Sequence, residues 1–235
     1  MPEYYADGEE KRRFTRRMFD SSAPDYDRVD HLFAFGMGTR YRREALLRGG
    51  LAPGMRMLDV AVGTGLVARE ALAIVGAAGS VIGVDPSAGM LAQSEAHGLT
   101  LARGRAEALP FASQSFDFLC LGYALRHLAD MEIVFREFRR VLAPGGRLLV
   151  LEITRPEGRV AAAVLKAYLH GLLPALARIV ARSRDTPTLY RYYWDTIAAC
   201  APPAAIQATI VAAGFAKVAR GVRLGIFSEY SARAG

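Results

Sequence analysis

The sequence predicts an α/β fold, a Rossmann-like and mostly parallel sheet with helices on both faces and helical additions as a cover. Three observations predict it. Between residues 56 and 154, short apolar runs alternate with stretches of helical spacing. A glycine loop follows the first apolar run, and an acid closes the second. Two further apolar runs end the chain.

Each element follows in order. Residues 9–50 read as mostly helical, with a kink or turn at "SSAPDYD" and another at "FGMG". "MRMLDVAV", "SVIGVDP", "SFDFLCLGY" and "GRLLVLEIT" read as buried strands. Between them, "LVAREALAIVG", "SAGMLAQSEAHG" and "DMEIVFREFRRVL" have helical periodicity, which makes them the crossovers of a parallel sheet. "RRVLAPGGRLLVLE" reads as a helix, a tight Pro-Gly-Gly turn and a strand. Residues 159–200 read as a helical insertion broken near Pro174 and at "RDTPT". "AAIQATIVAAGF" reads as a helix ended by Gly214, and "AKVARGVRL" and "GIFSEYSA" as a closing strand pair. The whole is expected to be one domain over residues 1–235. Residues 9–50 form a cover, 56–154 the ligand-binding core, 159–200 an insertion and 204–235 the final helix and strands.

Composition limits the function classes. At 235 residues and 52% hydrophobic, the chain can bury a sizeable core. Two cysteines, Cys120 and Cys200, form no pairing or zinc motif, which suits a reducing compartment and argues against a metal site. The start "MPEYYADGEEKRRF" is polar, with no apolar signal region, and no apolar run is long enough to span a bilayer. A cytoplasmic location is expected. The net charge of +7 is concentrated early, at Lys11, Arg12, Arg13, Arg16 and Arg17, then Arg40, Arg42 and Arg43. Such a balance suits an anionic partner or a solvated face, and no nucleic-acid signature accompanies it. "VAAAVLKAYLHGLLPALARIVARSR" is strongly apolar with scattered bases. Lys166 and His170 are four apart, as are Arg178 and Arg182, so each pair can share a helix face. The stretch is either a core-facing helix or a surface dipping into the lipid interface.

The candidate ligand site lies in "LDVAVGTGLVA", where Asp59 precedes Ala61, Gly63, Thr64 and Gly65. Small residues at a helix start let a ligand approach backbone N–H groups, and Asp85 is placed to bond ribose hydroxyls. "GTGLVA" also fits a dinucleotide fingerprint. Asp59 before the loop, "GRAEALPF" after the third strand and "RRVLAPGGRLLVLE" beyond it favour S-adenosylmethionine over NAD. Further on, "CLGYALRHLADM" sets Tyr123, Arg126 and His127 just past a buried strand.

The resemblance extends past the fold. "MFDSSAPDYDRVDHLFAFGMGTRYRREAL", "AEALPF", "YALRHLAD", "RVLAPGGRLLVLEITRP", "LYRYYWDTI" and "AAGF" resemble, in the same order, segments of the ubiquinone/menaquinone biosynthesis C-methyltransferases. The similarity runs from about residue 18 to 225. It implies the class I methyltransferase fold, with a seven-stranded sheet, S-adenosylmethionine as cofactor, and the ring of a polyprenylated quinone or quinol as substrate. By position it implies that Thr64, Asp85, Arg105, Ala106 and Gly122 contact the cofactor. Tyr26, Arg126 and His127 would line the ring site, with Tyr123 beside it. A lipid substrate implies contact with the inner face of a membrane, and a homodimer or a biosynthetic complex is a partner the family suggests.

The sequence departs from the family at several of these positions. Val62 stands for a glycine, Leu66 for an aspartate, Arg105 and Asp30 for asparagines, Gly122 for a serine, and His127 for the asparagine after Arg126. These departures keep two other readings open. One is the related rhodoquinone reaction, in which an amino group replaces a ring methoxy group. The other is a non-catalytic quinone- or cofactor-binding partner. For the methyl-transfer reading, Arg126 is suited to stabilising a phenolate and His127, titrating near neutrality, to relaying a proton.

Overall fold

The computed structural model describes residues 4–33, 37–95, 97–175 and 186–235. Two helices come first, α1 (Gly8–Phe33) and α2 (Gly38–Gly49). Then β1 (Arg56–Val60), α3 (Leu66–Val75), β2 (Ser80–Asp85), α4 (Ala88–Glu95) and β3 (Thr100–Arg103) alternate. β4 (Phe116–Gly122) leads through a 3₁₀ turn (Leu125–His127) to α5 (Met131–Val141) and β5 (Leu142–Ile153). α6 (Arg159–Ala167) and a wide π turn (Tyr168–Leu172) follow. The chain then returns through α7 (Thr186–Ala198) and α8 (Pro203–Ala212) to β6 (Phe215–Arg223) and β7 (Phe227–Ala234).

The strands form one seven-stranded sheet in the order β3-β2-β1-β4-β5-β7-β6. β1 to β5 are parallel, and β7 runs antiparallel between β5 and β6. β1 pairs with both β2 and β4, so the strand order reverses at β1 and a crevice opens beyond the carboxyl ends of these strands.

Alternation along the strands feeds two cores. Leu58, Leu119, Leu121, Leu148 and Val150 face the layer of α5 and α8, with Phe135 and Phe138 fully buried there. Met57, Phe118, Cys120, Leu149 and Leu151 face the layer of α2 and α3. α5 is held at its start by the Asp130 carboxylate, which accepts from Glu132 N and Ile133 N, and it buries Val134, Phe135, Phe138 and Val141 on one stripe. A third cluster of Met18, Leu165, Leu169, Leu189, Tyr192 and Trp194 joins α1, α6 and α7 into the cover.

Three local expectations can be placed on the structure. α1 continues through Pro24, so of the kink or turn expected at "SSAPDYD" a turn that ends the helix is absent. Pro24 removes one N–H and blocks the carbonyl of Asp20, four residues back, and in the preceding turn the Ser22 hydroxyl donates to Met18 O (2.8 Å). The break expected near Pro174 is seen as the π turn that contains His170, the residue whose carbonyl a proline at 174 crowds. The Pro-Gly-Gly segment is a bulge within β5, with Gly145 at φ 75°. Pairing with β4 jumps from Phe116–Leu142 to Phe118–Arg147 across it. The Arg178–Arg182 pair lies outside the described residues, and "FGMG" and "RDTPT" lie partly outside them.

Phe138 has no exposure and no polar partner. Phe138→Ala is expected to cost about 3–5 kcal/mol of unfolding free energy, read by urea denaturation with an unchanged slope.

Candidate active site

Two adjoining chambers occupy the crevice. The first, about 320 Å³, is walled by α1, α2, the glycine loop, α6, α7 and the β6–β7 turn. The second, about 290 Å³, lies between α1 and the ends of β1, β2 and β4. Tyr26, Ala61, Gly63, Gly122 and Tyr123 line both, so these five residues frame the junction.

The second chamber is built on Asp85. Its Oδ2 accepts from Gly63 N (2.9 Å) and its Oδ1 from Ser87 N (2.8 Å), so one carboxylate fixes both the glycine loop and the start of α4. Burial raises its pKa to about 6, against the lowering effect of those two N–H donors. Ala106 is buried in this wall, and Arg105 is exposed at it. Arg12, Arg13 and Arg16 of α1 complete the lining, so part of the early basic run faces a cavity.

Asp59 stands at the first chamber with 1% of its surface exposed. Its Oδ2 has no hydrogen-bond partner among the described residues, and burial raises its pKa to about 8. A buried carboxyl with one unpartnered oxygen beside the glycine loop fits a ligand that carries a positive charge, as the sulfonium and ammonium of S-adenosylmethionine do. Ala61 and Gly63 hold left-handed backbone (φ 56° and 58°), which turns the loop between β1 and α3.

α1 closes over both chambers. The Asp20 carboxylate accepts from the Ser87 hydroxyl (2.6 Å) and Gly89 N (3.0 Å). Asp27 accepts from the Thr64 hydroxyl (2.5 Å) and Arg69 (3.1 Å). The two acids are seven residues apart, two turns along one face, a spacing the sequence reading passed over.

Arg126 lies in the first chamber wall and is fixed on three sides. Its Nη1 donates to Glu152 Oε1 (2.5 Å) and Tyr123 O (2.8 Å), and its Nε to Thr196 Oγ1 (3.2 Å). The guanidinium also lies over the Tyr193 ring at 5.2 Å. Among the described residues Nη2 has no hydrogen bond. Tyr26 faces the same space, and its hydroxyl is bonded to that of Tyr193. Burial raises the hydroxyls of Tyr26, Tyr123 and Tyr193. Arg42 pairs with Asp30, and both line the first chamber.

Three predicted residues sit elsewhere. His127 lines the second chamber, stacked on Tyr192 at 5.4 Å and edge-on to Phe19. Burial, with Arg126 and Lys11 nearby, pushes its pKa well below the ordinary value, against the proton relay expected of it. Gly65 lines neither chamber. It opens α3 at φ 88°, and a Cβ there would meet Leu99 Cδ1 at 2.3 Å, so its work is turning and packing. Thr64 lines the first chamber, not the second. Among the altered positions, Val62 fills the space over Gly83, and Leu66 adds an apolar wall to the first chamber. Arg42, Glu152 and Tyr193 were missed. Tyr193 sits in a segment, "LYRYYWDTI", that the family resemblance had already marked.

The model of the ubiE/COQ5 methyltransferase family matches residues 6–228. A demethylmenaquinone methyltransferase of Mycobacterium sp. (strain KMS) is 37% identical over 86% of this chain and 85% of its own. The ubiquinone/menaquinone biosynthesis C-methyltransferase UbiE of Hahella chejuensis is 34% identical over 80% and 78%. Among solved structures, a Thermotoga maritima S-adenosylmethionine-dependent methyltransferase superposes with a TM-score of 0.65 at 20% identity, covering 93% of this chain and 99% of that one. The [4+2]-cyclase SpnF superposes at 0.61 and 18%, covering 93% and 94%. At such identities these structures establish the fold, which serves more than one chemistry. With the family model spanning almost the whole chain and relatives above 30% identity, this S-adenosylmethionine-dependent methyltransferase belongs to the ubiE/COQ5 family.

Proposed function

We propose that the protein methylates a ring carbon of a polyprenylated quinol, with the second chamber holding the nucleoside part of S-adenosylmethionine and the first holding the ring. The observation that carries this reading is the shared frame of Tyr26, Ala61, Gly63, Gly122 and Tyr123, where the two chambers meet. The relatives' names supply the substrate class.

Bound S-adenosylmethionine supplies an electrophilic methyl group. The chain's own residues do the rest. Asp85 receives the ribose hydroxyls, Arg105 and Ala106 border the adenine, and Asp59 meets positive charge at the glycine loop. Gly122 leaves the junction open, since even a Cβ there would lie 3.1 Å from Val67. A quinol carbon becomes nucleophilic as its hydroxyl loses a proton, and Arg126 offers Nη2 to the oxygen that gains charge. Tyr26 and Tyr193 orient the ring, and the apolar walls keep water from the reacting carbon.

The prenyl tail points to a membrane surface. α6 exposes Val160 (79%) and Val164 (64%), the next turn exposes Leu172, and the β6–β7 turn exposes Leu224 (77%). Leu165 and Tyr168, on the inner side of the same segment, line the first chamber, as does Leu224. Exposed Arg159, Lys166 and Arg223 lie among these apolar residues, a pattern suited to an anionic lipid interface. Among the described residues no helix is long and apolar enough to cross a membrane.

Purified protein given a short-chain demethylated quinol and methyl-labelled S-adenosylmethionine is expected to place the label on a ring carbon. An amino-quinone without methyl gain would favour the amination reading instead. Vesicles rich in anionic lipid are expected to sediment the protein at low salt, and Val160→Asp with Leu224→Asp to weaken this about tenfold or more. No sedimentation of the wild type overturns the membrane contact. Asp59→Asn tests the buried carboxyl. A folded-state pKa above the unfolded value lowers stability as pH rises from about 4 to 8. The variant should therefore melt higher than wild type at pH 8, by on the order of 1–3 kcal/mol, match it near pH 4, and bind S-adenosylmethionine more weakly.

A further inference from the structure

The ring chamber needs a group that takes the quinol proton, and the family-implied candidates do not supply one. Arg126 and Arg42 remain charged at any working pH. His127 lies in the other chamber. The tyrosine hydroxyls are shifted toward the protonated form by burial, and Asp59 is given over to the cofactor's positive charge at the glycine loop.

One carboxylate remains. Asp30 lies one turn beyond Tyr26 on α1 and lines the first chamber with it. Its Oδ1 is paired with Arg42, whose side chain is 5% exposed, while the Asp30 side chain keeps 20%. Oδ2 has no hydrogen bond among the described residues. Its charge acts on the hydroxyls of Tyr26, Tyr123 and Tyr193 together, which sets it within the ring of groups that surround the chamber. Arg42 itself lies 5.7 Å from the Tyr123 ring and holds the carboxylate from the α2 side.

We propose that Asp30 is the proton acceptor of the reaction, taking the ring hydroxyl proton on Oδ2 while Arg42 holds Oδ1. The proposal rests on the first chamber being the ring site. As the O–H bond breaks toward Asp30, the oxygen pair moves into the ring. The ring carbon forms its bond to the methyl group as the C–S bond breaks, and that electron pair stays on sulfur. The ring carbon then loses its hydrogen as a proton to water while Asp30 returns its proton to the oxygen. The net release is one proton. An asparagine here, the family's residue, could orient the hydroxyl without taking its proton, so the aspartate is a specialisation of this chain.

The test compares wild type, Asp30→Asn and Asp30→Glu across pH at saturating S-adenosylmethionine. Two prenylated hydroquinones serve as acceptors, an ordinary one and a halogenated one already ionised at the assay pH. On the ordinary acceptor at pH 7, Asp30→Asn should lower kcat about 100-fold or more, with its rate climbing as pH rises, and Asp30→Glu should recover part of it. On the ionised acceptor wild type and Asp30→Asn should agree within about threefold. Equal losses on both acceptors, or no loss on the ordinary one, overturn the proposal. Calorimetric affinity for S-adenosylmethionine checks that the variant is folded. If it is not, the wild type alone decides. A rate plateau on the ordinary acceptor well below the acceptor's own pKa is expected, and a tenfold fall per pH unit throughout that range overturns it. Wild type that methylates neither acceptor overturns the proposed function itself.

Discussion

The buried ion pair between Arg126 and Glu152 is the constraint on which the site depends. Glu152 is 1% exposed near the end of β5 and accepts from both the Arg126 side chain and its backbone N–H. Two charges taken out of water need partners, and here Tyr123 O, Thr196 Oγ1 and Ile153 N supply them, with Arg126 Nη2 left facing the chamber. The pair therefore ties β5, the 3₁₀ turn after β4 and α7 to one point. The position of the reacting wall is a by-product of satisfying that charge. Tyr123 holds left-handed backbone (φ 60°) in the same turn, a strained conformation fixed by its N–H to Leu151 O (2.7 Å).

The central sheet was legible because its elements carry local signals. Asp130 announces α5, the apolar runs of β1, β2, β4 and β5 have strand length, and Gly214 ends α8. Asp85 was legible for the same reason, since its distance from the glycine loop is fixed by one strand and one helix. Pro24 misled in part. It is a breaker by local rule, yet packing of α1 into the cover outweighs the lost backbone bond. The site partners were illegible for a different reason. Arg126 meets Glu152 across 26 residues and Thr196 across 70, and Asp30 meets Arg42 across two helices. No periodicity encodes such meetings. His127 shows the limit of position alone, because its neighbour Arg126 turns into one chamber and the histidine into the other.

The family departures divide along the same line. Val62 is a packing exchange with Gly83, and Gly122 widens the junction. Leu66 makes the first chamber more apolar, whereas Asp30 places a charge there, answered by Arg42. Altered residues thus border both chambers, Asp30, Val62 and Leu66 the first, Arg105 and His127 the second and Gly122 both, while Asp85 keeps its two N–H donors.

α1 contributes Arg16 and Phe19 to one chamber, Asp30 to the other and Tyr26 to both, and is anchored to the loops beneath through Asp20 and Asp27. One helix thus borders both chambers. Any coupling it carries between ligands in the two is reciprocal by thermodynamic necessity, each altering the affinity of the other by the same factor.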